Sequence, residues 1–197
     1  SQYLTDLAGC GLPQHAYPVK DRGWSIINPL GSLFEAYQFT DGSDFSFDSP
    51  LYNKDNLGKN RDPRLDYTIY YNGATFKNTV YNSHPDGGSV DATQSGQTTQ
   101  TGFMMRKYFD ESYNGDLRKY GVNIPIIRYP EVLLSYLEAK LEGGEAITRS
   151  LLDQTINAVR GRASVQMPPI TETNPEKLRT ILRNERRVEL AMEGIRY

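Results

Sequence analysis

A chain of 197 residues with 38% hydrophobic and 23% charged residues can bury one large domain or a domain and a half. The apolar share is below the usual one, which leaves much of the chain in surface loops. With Lys+Arg 22 against Asp+Glu 24, the net charge of -2 excludes the clustered basic face that nucleic acid needs. One cysteine excludes an intrachain disulfide framework, and no apolar run approaches the ~18–20 residues that span a bilayer.

Leu7-Ala8-Gly9-Cys10 spells a bacterial lipobox, but only Ser1 to Asp6 precede it. A lipobox needs a basic region and a long apolar stretch, so the match reads as coincidence. Gly9, Gly11, Pro13, Pro18 and Gly23 break every run up to residue 28, which predicts loop or short strand. Asn28-Pro29 predicts a helix start, with Leu30, Leu33, Phe34 and Tyr37 at helical spacing and Asp41-Gly42 at the end. Asp41, Asp44 and Asp48 lack the EF-hand order and read as turn formers rather than calcium ligands. Leu65 to Tyr71 carries the β-branched and aromatic content of a strand, Asn72-Gly73 is a hairpin signal, and Ala74 to Tyr81 is the returning strand. Residues 82–102 form a long polar segment, of the kind that is functional or mobile in a compact domain.

Three helices follow. Pro130 sits in the first turn of one whose face is Leu133, Leu134, Leu137 and Leu141, stopped by Gly143-Gly144. Leu152, Ile156, Val159 and Ala163 line the second, which Pro168-Pro169 keeps from continuing. Asn174-Pro175 opens the third, with Leu178, Ile181, Leu182, Val188 and Met192 on its buried side. The first two resemble one tetratricopeptide-type hairpin without a second copy. Arg160, Arg162, Arg179, Arg183, Arg186 and Arg187 interleave with Glu176, Glu185 and Glu189, which predicts solvated or salt-bridged helix faces.

Little here asks to be a catalyst. His15 and His84 have no metal-ligand spacing. Glu185 and Glu189, one turn apart beside Arg186 and Arg187, read as ion-pair partners rather than a glycosidase pair. Nucleophile motifs and Gly-rich phosphate loops are absent, so no cofactor or metal is expected. What remains is recognition. The chain has 14 Tyr against one Trp, and such rings offer an apolar face to the C–H side of a sugar. The candidate contacts are Trp24, Tyr17, Tyr67, Tyr70, Tyr71 and Tyr81, with Asn72 among the polar neighbours Asn53, Asn78 and Asp66. A Tyr-rich hairpin can equally be only a hairpin.

The run Ile124-Pro125-Ile126-Ile127-Arg128-Tyr129-Pro130-Glu131-Val132-Leu133-Leu134, continuing through Ser135 to Ala139, resembles a signature of the SusD/RagB family. Ile156-Asn157-Ala158-Val159-Arg160-Gly161-Arg162-Ala163 and the stretch from Ile181 through Glu185-Arg186-Arg187 to Glu193-Gly194-Ile195-Arg196-Tyr197 resemble its next two. Thr101-Gly102-Phe103 with Arg106-Lys107-Tyr108 is similar to the strand before that block, and Arg61-Asp62-Pro63-Arg64 matches loosely. The resemblance implies a mainly α fold with tetratricopeptide-like helix pairs, an irregular loop-rich region and a small β-hairpin. Residues 1–102 would be the loop-rich part with the candidate ligand surface, and 103–197 the C-terminal helical block, cut at its end. It further implies a surface lipoprotein of a Gram-negative outer membrane, anchored by an N-terminal lipid outside this chain. Such a protein binds oligosaccharides, or peptides in some members, without catalysis, and passes them to a SusC-like TonB-dependent transporter. The rivals are a tetratricopeptide-like protein adaptor and, behind it, a glycan-cleaving enzyme. The motifs carry no ligand residue over to this chain.

Overall fold

The computed structural model of the protein describes residues 11–93, 98–121, 123 and 125–195, so the Leu7–Cys10 motif lies outside the described residues. It is mostly helical, 35% helix and 6% strand. The described residues open with a helix where loop or strand is expected, α1 (Leu12–Ala16). Pro13 is the reason: in the first turn it costs no hydrogen bond, and its carbonyl accepts the Tyr17 amide at 2.8 Å. The helix α2 (Gly31–Ala36) begins later than Asn28-Pro29 suggests. Asn28 is used elsewhere, its Oδ1 accepting the Gln100 amide at 3.0 Å while the Pro29 carbonyl accepts Thr101 Oγ1 at 2.7 Å.

The predicted strand over Leu65 to Tyr71 is mostly helix, α3 (Arg64–Thr68), followed by β1 (Ile69–Tyr70). Asp62 decides this. Its Oδ1 accepts the Arg64 amide at 3.0 Å and its carbonyl the Leu65 amide at 2.9 Å, with Pro63 between. A cap therefore overrides β-rich composition. The hairpin exists but is displaced. β2 (Thr75–Phe76) pairs with β3 (Thr79–Val80), and the tight turn is Lys77-Asn78, at φ 44° and 62°, the I′ geometry that suits a right-handed ribbon. Asn72-Gly73 is a separate turn, with Gly73 at φ 92° and the Ala74 amide bonded to the Tyr71 carbonyl. β1 instead pairs antiparallel with β4 (Met104–Met105).

The late helices follow their periodicity closely. α4 (Tyr129–Glu142) buries Leu134, Leu137 and Leu141 and stops at Gly143, with Gly144 at φ 73°. The second helix is broken at Thr155 into α5 (Arg149–Gln154) and α6 (Ile156–Arg160), so Ala163 falls beyond it and is exposed. α7 (Pro175–Glu189) is capped by Asn174 Oδ1, which accepts the Glu176 and Lys177 amides at 3.1 and 3.2 Å. Met192 lies past its end at φ 64°.

Two apolar cores result. Leu134, Leu137, Leu152, Ile156, Leu178 and Leu182 form the helical one. The other is aromatic, built on Tyr17, Tyr37, Tyr70, Tyr71, Phe76 and Tyr81, with Val188 reaching in from α7. α7 therefore belongs to both. Each fully buried leucine contributes about 1.5–3 kcal/mol. Replacing Leu137 by Ala should cost about 2–5 kcal/mol, and Asn174 by Ala about 1 kcal/mol, as read by urea unfolding. An Asn174→Ala variant as stable as the parent would contradict the assigned cap.

Candidate functional site

Four of the candidate tyrosines lie in the aromatic core, not on a surface. Tyr17, Tyr70 and Tyr81 are 0% exposed and Tyr71 5%. Tyr17 stands edge-on to Phe76 and Phe109 at 5.0 and 5.1 Å, and Tyr70 edge-on to Phe76 at 4.9 Å. Their hydroxyls are tied inward, Tyr70 to Glu111 Oε1 at 2.7 Å, Tyr71 to Asp66, and Tyr17 to the Asp110 carbonyl at 3.3 Å. Burial first, then the Glu111 and Asp66 carboxylates for Tyr70 and Tyr71 and the neighbouring Tyr120 for Tyr17, push the phenols well above their ordinary value. Rings packed on both sides offer no face to a sugar in this structure. Tyrosine is here a core-filling residue, and in Tyr17, Tyr70 and Tyr71 the polar tip is satisfied internally.

The other three candidates are exposed. Asn72 organises its loop, Oδ1 accepting the Ser83 and His84 amides at 3.0 and 3.2 Å. Tyr67 points out of α3, 60% exposed. Trp24 is 53% exposed, with His15 edge-on at 4.9 Å and its own amide bonded to the Gln14 carbonyl at 2.7 Å. Gly23 before it is obligatory, since a Cβ there would meet the Tyr17 backbone. A close approach of two chain segments thus fixes how the indole is presented.

Composition missed a further exposed ring. Phe47, 61% exposed, lies edge-on to Phe45 at 4.8 Å and to Tyr52 at 5.3 Å. Phe45 is anchored from below by the Arg61 guanidinium, 4.0 Å from its centroid. Burial lowers the Arg61 pKa to about 10, while its Nη2 donates to the Phe34 and Tyr37 carbonyls at 2.7 and 2.9 Å. Asp48, Leu51, Asp55 and Asn56 amides bond to Ser46, Ser49 and Asn53 side chains, so the loop is held by its own turns. The alternation Asp44-Phe45-Ser46-Phe47-Asp48 was the available signal. An open cleft of about 930 Å³ lies elsewhere, between the start of α2 and the end of α7, with Leu30, Leu33, Glu138, Arg183 and Arg187 on its walls.

The expected solvated or salt-bridged Arg–Glu faces are salt-bridged, and part of the network is buried. Arg179 pairs with Glu142 at 2.7 Å near the surface. Glu185 and Glu189, by contrast, are 1% and 3% exposed. Arg64 donates to Glu185, and also to Glu189 at 3.1 Å. Arg160 reaches Glu185 at 2.7 Å, Arg162 reaches Glu189 at 2.9 Å, and Arg128 reaches Glu189 at 3.1 Å. These carboxylates are consumed by ion pairs, which leaves neither free for acid–base work. Among the described residues no three His, Cys, Asp or Glu side chains form a metal cluster.

The family model for the SusD family matches residues 3–197. The chain belongs to the SusD family. A SusD-like carbohydrate binding protein from Bacteroides fragilis is 56% identical, with a TM-score of 0.93 over 98% of this chain. A second SusD-like protein from that organism is 28% identical, with a TM-score of 0.74 over 91% of this chain and 37% of its own. At 18% identity, a SusD superfamily protein from Bacteroides vulgatus shares the fold, with a TM-score of 0.59 over 92% of this chain and 34% of its own. No curated protein matches the chain. It spans only 39% of the length of the first of these relatives.

The ion pairs make this SusD-family chain sensitive to charge loss in a defined way. Glu185→Ala leaves Arg160 buried without its carboxylate, while Arg64 keeps Asp62 and Glu189, and should cost about 3–5 kcal/mol in urea unfolding. Asp153→Ala, which breaks the exposed Arg149 pair, should leave the midpoint unmoved. Burial opposes ionisation of Glu193, but hydrogen bonds from Arg128 and Lys107 outweigh it and hold the carboxyl below its ordinary 4.5. Its contribution is therefore full above pH 4.5 and is lost as the pH falls through the lower folded value. Glu193→Gln should flatten that acid loss of stability; an unchanged acid limb would show that Glu193 does not drive it.

Proposed function

We propose that this chain is the ligand-presenting part of a cell-surface glycan-binding protein, which captures oligosaccharides and hands them to a TonB-dependent outer-membrane transporter without chemistry. The observation that carries the reading is the pairing of family membership with exposed rings held by rigid supports: Trp24 against His15, and Phe47 on Phe45 and Tyr52. Pre-positioned aromatics lose little conformational freedom on binding, and stacking supplies affinity without directional demands. A 56%-identical relative described as carbohydrate binding supports the ligand class. Tyr67 and the Asn72 loop are the remaining candidate contacts. Surface anchoring by a lipid and location in a Gram-negative outer membrane belong to the same reading.

A protein-docking reading draws on a different surface. Ile126 is 93% exposed, and Ile127, Tyr129, Val132 and Tyr136 continue that patch along one side of α4. A helix apolar on its outer face as well as its inner one is built to be covered. That surface fits contact with protein rather than sugar, and it is separate from the Trp24 and Phe47 rings in sequence.

Calorimetric titration with a panel of soluble polysaccharides and peptides separates these readings. A saturable glycan isotherm is expected, with no new reducing ends. Trp24→Ala or Phe47→Ala should weaken it by roughly tenfold, the equivalent of about 1.4 kcal/mol, and Tyr70→Phe should leave it unchanged. Glycan affinity indifferent to both surface rings, or a peptide isotherm alone, would contradict capture by these aromatics.

A further inference from the structure

Three segments that are distant in sequence meet at the turn that precedes Trp24, and each carries a buried oxygen without a hydrogen-bond partner. The first is the turn Val19–Asp21. Asp91, 0% exposed, grips it from the second segment, its Oδ1 accepting the Val19 amide at 2.7 Å and the Lys20 amide at 3.3 Å. The third segment is tied on by Lys20, whose ammonium donates to Thr79 Oγ1 at 2.6 Å and the Val80 carbonyl at 3.4 Å rather than forming an ion pair with Asp91. The Thr93 amide donates to the Ser83 carbonyl at 3.2 Å, which holds the second and third segments side by side. Asp91 Oδ2, Asp21 Oδ2 and the Tyr81 hydroxyl are all buried with no hydrogen-bond partner.

Two carboxylates share one turn of backbone here, and among the described residues no ion pair closes on either. A buried anion without a counter-charge is costly, and two near one another are more so. Burial raises the Asp91 carboxyl above its ordinary value; the two amide hydrogen bonds and the Lys20 charge offset only part of this, and the Asp21 charge adds to it. Burial first, and the Asp91 charge second, push the Tyr81 phenol upward as well. A proton held on a carboxyl, a buried water or a cation would satisfy the site, and of these only a cation also balances the two carboxylate charges.

We propose that a divalent cation with calcium-like chemistry binds at Asp21 and Asp91, with the Tyr81 hydroxyl at the edge of its coordination shell. The donors are hard oxygens without nitrogen or sulfur, and two carboxylates neutralise one divalent charge. Calcium accepts irregular shells completed by carbonyls and water, whereas magnesium demands near-ideal octahedral geometry. The bound ion would staple the 91–93 segment to the turn that leads through Gly23 into Trp24. It would thereby fix the presentation of the exposed indole.

Trp24 is the single tryptophan of the chain, so it reports on its own loop. Chelator-stripped protein titrated with calcium chloride should show a saturable change in tryptophan fluorescence, reversed by EDTA, and a melting temperature raised by several degrees. Asp91→Asn keeps an acceptor for the Val19 and Lys20 amides, and Asp21→Asn alters a carboxylate whose Oδ2 has no hydrogen-bond partner. Both should retain the native circular dichroism spectrum and bind calcium at least roughly tenfold more weakly. A folded parent with no saturable calcium response would overturn the proposal and leave a protonated carboxyl or a buried water as the resident of the site. A calcium response retained in both variants would also overturn it, by placing the ion elsewhere. None of these readouts involves a glycan, so their failure is distinct from failure of the glycan reading.

Discussion

Two carboxylates on one turn of α7 set the terms for the rest of the molecule. Glu185 and Glu189 lie between the helical core and the aromatic core, out of water. Charges in such a place persist only where cations and further hydrogen bonds surround them. The cations come from far apart: Arg64 from α3, Arg128 from just before α4, Arg160 from the end of α6 and Arg162 beyond it. Each elaborates a local structure to arrive there. Asp62 starts α3 by capping it and also grips the Arg64 guanidinium, at 2.6 Å from Nη2. Arg160 is steadied by the Pro168 carbonyl at 2.9 Å and by Gln38 at 3.2 Å. The network is directional where apolar contacts are not, so it fixes how the loop-rich part sits on the helices.

Local signals in the sequence were read well because their physics is local. Leu134, Leu137 and Leu141 repeat at helical spacing, and Asn174-Pro175 and Gly143-Gly144 act on neighbouring amides. Long-range burial was not legible in the same way. Glu185 beside Arg186 looks like any solvated helix face, and only Arg64, 121 residues away, makes it a buried one. The strand expected over Leu65 to Tyr71 failed because composition was weighed above the Asp62-Pro63 cap. The hairpin is displaced because its tight turn is Lys77-Asn78, whose positive φ values the fold imposes, and not the Asn72-Gly73 dipeptide.

The tyrosines teach the same lesson for the site. The chemistry that suits Tyr17, Tyr70, Tyr71 and Tyr81 to a wet surface equally suits them to a core, where the tips of the first three find Glu111, Asp66 and a backbone carbonyl. Composition cannot distinguish these two uses. Burial can, and it leaves Trp24, Tyr67 and Phe47 as the exposed rings among the aromatic candidates. Phe47 and Trp24 share a construction in which the ring is exposed while its support is rigid. A stacked or edge-on partner and a hydrogen-bonded loop underlie each, so the surface is shaped before any ligand arrives.

The most direct test of this account is residue-resolved NMR of the aromatic side chains during titration with a binding polysaccharide. The account predicts perturbed ring signals for Trp24, Phe47 and Tyr52 at saturation, with the rings of Tyr17, Tyr70 and Tyr81 unmoved. Perturbation confined to the buried tyrosines, or to Tyr129 and Tyr136 on the outer face of α4, would contradict it.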